Sequence, residues 1–110
     1  MISFRKSREE NGVTVFEACE EGRTLGECGF EFIPCGMRFT YMDCGDDITA
    51  EGLARSSMNY CANRGSYIAC IPESLLSPAF RRLGFSETVL TVEIPDALAS
   101  SCCNCSGKSE

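Results

Sequence analysis

The sequence predicts an α+β domain with a mixed, mostly antiparallel sheet and two main helices. Three observations predict it. Turn signals at Asn11-Gly12, Glu20-Glu21-Gly22-Arg23 and Pro34-Cys35-Gly36 cut the first part of the chain into four strand-like stretches. After Cys44 the apolar spacing changes from two to three and four, the helical period. A short apolar run, a second helical pattern and a last alternating run then follow.

Ser3 to Arg8 is the first strand, in spite of its charge. Asn11-Gly12 tolerates positive φ and makes a hairpin into the second strand, Val13 to Cys19. Leu25 to Ile33 is the third strand. It sets Cys28, Phe30 and Phe32 on one face, and Leu25, Glu27 and Glu31 on the other. Met37 to Cys44 is the fourth, with Met37, Phe39 and Tyr41 alternating with Arg38, Thr40 and Met42. Turns this short imply an antiparallel meander.

Thr49 is the expected N-cap of a helix running to Arg64. Leu53, Ser57, Met58, Cys61 and Ala62 form its apolar stripe, and Gly65 suits the position after its end. Tyr67 to Ile71 reads as a short buried strand broken by Pro72. Leu75, Leu76, Ala79, Phe80 and Leu83 mark a second helix over Ser74 to Leu83. Pro78 must fall in its first turn, so the regular part starts near Ser77. Thr88 to Ile94 is the last strand, with Leu90, Val92 and Ile94 facing one way and Pro95 ending it. Residues 1–96 are therefore expected to be a single domain, and residues 97–110 a polar, Cys-rich, loosely ordered tail.

With 110 residues the chain fits one small domain with a thin core. A net charge of −6 and the absence of His argue against nucleic-acid binding and against an anionic membrane surface. The lack of His also removes the commonest general base and metal ligand. No apolar run approaches the length of a membrane span. Nine cysteines are many, but the number is odd and no export signal is visible. Cys19, Cys28, Cys44, Cys61 and Cys70 sit inside strand or helix patterns, where a thiol behaves as a small apolar side chain. A reducing, cytoplasmic setting is the expectation.

A strand that feeds a helix N-terminus is an anion site in general, because unpaired N–H groups and the helix dipole converge there. The chain carries this arrangement in MRFTYMDCGDDITAEGLARSSMNYCANRG, which resembles the central strand, phosphate loop and long helix of the GNAT superfamily of acetyl-CoA-dependent N-acetyltransferases. EACEEGRTLGECGFEF resembles that family's strand pair, and YIACIPESLLSPAFRRLGF its next strand and the helix ending in Gly-Phe. The resemblance covers Val13 to Ile94 and lacks the family's two N-terminal helices.

The resemblance implies a cofactor site. The family's Q/R-x-x-G-x-G/A loop corresponds to Thr49-Ala50-Glu51-Gly52-Leu53-Ala54, in which the backbone N–H groups from Glu51 to Ala54 would hold the pyrophosphate of acetyl-CoA. Met42 and Cys44, at the end of the central strand, would hold pantetheine as an added strand, in a split between neighbouring strands. Arg55, Arg64, Arg81 and Arg82 are the basic residues near the loop and helices, and a CoA 3′-phosphate would want one of them. The chain also departs from the pattern. Thr49 stands where Gln or Arg is usual, Glu51 puts negative charge beside the pyrophosphate, and Glu73 replaces an Asn. Phe80 stands where the family has the Tyr that protonates the leaving thiolate, and a Phe cannot do so.

Three functions stay open at this point. The first is a GNAT-like N-acyltransferase that moves an acetyl group from acetyl-CoA to an amine of a small molecule or peptide. Glu31 and Asp43 are its candidate bases, beside Glu17 and Glu27 on the same alternating strands. The missing helices would leave an apolar sheet face bare, which implies a homodimer. The second is a catalytically inactive GNAT-like module that binds a ligand or a protein. The third is a thiol- or metal-handling protein built on Cys102-Cys103-Asn104-Cys105, with Cys35 as a further ligand, although this cluster lacks paired C-x-x-C spacing.

Overall fold

The computed structural model describes residues 1–99. The predicted fold class is the one observed: an α+β arrangement with a six-stranded mixed sheet in the order β1-β2-β3-β4-β5-β6. Strands β1 (Ser3–Glu10), β2 (Val13–Glu20), β3 (Arg23–Ile33) and β4 (Gly36–Cys44) form an antiparallel meander. Helix α1 (Asp47–Ala62) crosses back to β5 (Ile68–Cys70), which lies parallel to β4. A 3-10 turn (Glu73–Leu75), helix α2 (Pro78–Arg81) and β6 (Thr91–Glu93) complete the sheet, with β6 antiparallel to β5. The three turns of the meander place Asn11, Glu21 and Cys35 at positive φ, as tight hairpins require.

α1 and α2 cover one face of the sheet. Phe16, Ala18, Cys28, Phe30, Met37 and Phe39 from the strands meet Leu53, Ala54, Met58 and Cys61 from α1. Phe80 of α2 packs edge-on against Phe39 and against Phe85. Each such ring, fully removed from water, contributes about 1.5–3 kcal/mol. The α1 stripe is the predicted one. Ser57, its polar member, is satisfied by donating to the Leu53 carbonyl at 2.8 Å.

Several boundaries differ from expectation. α1 starts two residues before Thr49, because the Asp46 carboxylate and not the Thr49 hydroxyl caps it. The second helix is broken in two. Its first part closes as a 3-10 turn, and Ser77 then caps α2 with Pro78 at its first position. β6 stops at Glu93, and residues 94–99 are helical. Pro95 thus sits in the first turn of a helix, where its missing N–H costs nothing, instead of ending a strand. Ile94 and Ala97 are buried and Leu98 packs on the core, so the ordered domain continues past residue 96. The Cys102–Cys105 cluster lies outside the described residues.

The other face of the sheet is bare of helices, but it is not the apolar surface from which a homodimer was expected. It carries ion pairs: Arg5 with Glu17, Arg8 with Glu27, and Arg38 with Glu31. A break in register between Gly29 and Phe30 produces this outcome on β4. Phe39 pairs with Phe30 and Tyr41 with Gly29, so one extra residue, Thr40, intervenes. The bulge sends Tyr41 to the charged face and Met42 to the core face, the reverse of simple alternation. Phe32 also departs from its expected burial and is 47% exposed at the rim.

Candidate functional site

β4 and β5 pair over only three residues, Gly36–Ile68, Met37–Ala69 and Arg38–Cys70. Beyond Arg38, β4 continues to Cys44 with no strand on its second side among the described residues. Half of the strand's peptide groups along Phe39–Cys44 therefore face away from β3 without a ladder partner. Met42 and Cys44, where the resemblance implied a split between neighbouring strands, lie on this unpaired stretch of β4. Met42 reaches the core, and Cys44 is half-buried with its thiol 3.6 Å from the Asp46 carbonyl.

The helix start beside this edge is different from a phosphate loop. Asp46 accepts from the Thr49 backbone N–H at 2.8 Å and from the Thr49 hydroxyl at 2.6 Å. Its carboxyl is held below the ordinary range, chiefly by that hydroxyl. The anion that a helix start attracts is thus already supplied by the chain itself. Asp47 adds a second negative charge in the first turn.

Thr49, Glu51, Gly52, Leu53 and Ala54, expected to cradle pyrophosphate, all lie within α1. From Glu51 onward, their N–H groups are used inside the helix and cannot face a ligand. Leu53 and Ala54 are fully buried core residues. Gly52 has a different role. A Cβ there would overlap the Phe4 ring, so the glycine lets β1 approach α1 closely. The Glu51 carboxylate is bonded to Arg82.

The remaining candidates are scattered. Glu31 accepts from Arg38 at 2.6 Å. Asp43 lies opposite Glu27, which itself lies opposite Glu17, so three carboxylates form a row across β2, β3 and β4. Glu31 and Glu27 are four residues apart on β3, roughly 13 Å. Glu31 and Asp43 therefore do not converge. Phe80 is fully buried between two rings, far from the role of a proton donor. Arg81 pairs with Glu87, and Arg64 lies over the Tyr60 ring at 3.7 Å. Of the four arginines considered for a 3′-phosphate, Arg55 alone has neither an ion pair nor a stacked ring among the described residues.

A feature the sequence reading missed is Tyr41. Its ring covers Gly29, and its hydroxyl donates to Glu27 at 2.9 Å. Burial first, and then the adjacent carboxylate, push its pKa up to about 12. The bulge at Thr40 leaves no local sequence signal, so simple alternation put this side chain on the wrong face.

No group of three or more His, Cys, Asp or Glu among the described residues is arranged to hold a metal ion. No helix among them is long and apolar enough to cross a membrane. A scan against protein-family models and a search of curated proteins each find no match for this chain.

Proposed function

We propose that the chain is a ligand-binding module of acyltransferase-like build. The free edge of β4 takes an extended, amide-bearing arm, such as the pantetheine of acetyl-CoA, as an added strand, without acyl transfer. The observation that carries this reading is the end of β4–β5 pairing at Arg38. Exposed main-chain donors and acceptors bind extended chains by ladder hydrogen bonds. The absence of transfer follows from three positions. Asp46 occupies the helix start, Gly52 sits inside α1, and Phe80 is sealed in the core.

A second reading, acetyl transfer from acetyl-CoA to an amine of a small molecule or peptide, is favoured by one observation. Asp43 is exposed near the end of β4, beside the same free edge, where a carboxylate can take a proton from an amine through water.

Calorimetry with acetyl-CoA, followed by turnover with a panel of amines, tests both. Binding without turnover is expected. Turnover that Asp43→Asn abolishes replaces the first reading by the second. Absence of binding at millimolar acetyl-CoA removes pantetheine as the ligand.

A further inference from the structure

Two cavities open on either side of Phe4, beneath the N-terminal half of α1. One, of about 380 Å³, is lined by Phe4, Gly52, Arg55, Ser56, Asn59 and Leu98. The other, of about 370 Å³, shares Phe4, Gly52 and Arg55 with it and adds Ile48 among others. They flank the Phe4 ring, which packs on the backbone of Gly52, and together make one groove along α1. Phe4, Ile48 and Leu98 make its walls apolar. The groove lies at the β1 end of the sheet, three strands from β4 and roughly 14 Å from the free edge described above.

Arg55 sets the sign of what this groove accepts. Its Nε is buried and has no hydrogen-bond partner. No carboxylate among the described residues pairs with its guanidinium, in a chain whose net charge is −6. Every other described arginine except Arg23, which is exposed at the start of β3, is matched by a carboxylate or a ring. A half-buried, unmatched guanidinium is costly unless an anion completes it. Glu51, the one carboxylate at the groove, is neutralised by Arg82. Each cavity is of the size at which small-molecule sites begin, with mostly apolar walls and few fixed polar groups.

We infer that this groove binds an amphipathic organic carboxylate, with the carboxylate on Arg55 and the apolar body along Phe4 and Ile48. Asn59 and Ser56 stand at the same end as further donors.

Octanoate titrated into the full chain and followed by amide NMR tests this. The expected result is saturable shifts at Gly52, Arg55 and Asn59, with octanol and octylammonium binding more weakly. Arg55→Met keeps the aliphatic stem and removes the charge. It should weaken octanoate about tenfold or more, the worth of one charge-assisted bond. Ile48 is 77% exposed, so Ile48→Glu should fold normally and weaken octanoate similarly by repulsion. Equal affinity for octanoate and octanol, indifference to both substitutions, or no shift at millimolar octanoate would each overturn the inference.

Discussion

The ring of Tyr41 lies across Gly29, its register partner on β3, in the space a Cβ would fill. The glycine leaves a gap in the sheet face, and the aromatic ring from the neighbouring strand closes it. Gly29→Ala should therefore destabilise the protein by about 1–3 kcal/mol, since the overlap involves ring atoms and the side chain of Val13. Urea unfolding of Gly29→Ala, alone and with Tyr41→Ala, measures this. The pair should be less damaging than the sum of its members, and simple additivity would contradict the contact.

Gly52 is the parallel case in α1. Alanine in place of a mid-helix glycine gains about 1 kcal/mol by itself. Here that gain is opposed by the Phe4 ring. Gly52→Ala should stabilise the protein in a Phe4→Ala background and lose that benefit with Phe4 present. The same gain in both backgrounds would show that the ring moves aside freely.

Asp46→Ala should lower the thermal midpoint by removing the cap at the start of α1, whereas Thr49→Ala keeps the Thr49 N–H bond and should cost less. The Asp46 carboxyl is held low in the folded state. Its contribution is thus present above the ordinary Asp value and lost as pH falls through the depressed one. The Asp46→Ala deficit should shrink in acid.

Burial raises the thiol of Cys28 to about 11 and that of Cys61 to about 12, and raises Tyr41 to about 12. These groups fold in their protonated forms. Their contribution to stability is full below the ordinary values of 9.0 and 10.0, and it is lost as pH rises toward 11 and 12. Alkaline unfolding should begin in that window. At pH 8, maleimide labelling read by peptide mass spectrometry should mark exposed Cys35 and spare Cys28 and Cys61. Early labelling of Cys28 would mean that the core opens.

Phe80→Tyr would restore the side chain that the resemblance associates with proton donation. The site is sealed, so the hydroxyl would be buried without a partner at about 1–3 kcal/mol. Acetyl-transfer assays should show no gain from it. A gain would mean that α2 swings toward the β4 edge.

Four strands, the α1 stripe and the helix–strand–helix order were legible because turn residues and apolar periods are local. Asn11-Gly12 and Pro34-Cys35-Gly36 needed nothing distant to act. The candidate site was legible only in part. The strand that ends at Cys44 was identified, but the start of the helix was not: Asp46, three residues before Thr49, caps it, so Thr49 to Ala54 lie inside α1. A single carboxylate chosen over a neighbouring hydroxyl moved Gly52 from the first turn of the helix, where its N–H would be free, into the second, where it is bonded within the helix.

The sequence alone determined the α+β class, the meander and the shared core face of Cys28 and Phe30, since each depends on residues near one another in the chain. Tertiary structure decided the bulge at Thr40, the end of β4–β5 pairing at Arg38, the pairing of Gly52 with Phe4, and the isolation of Arg55. Each of these depends on where strands and helices distant in sequence meet, and packing across such distances leaves no period in the chain.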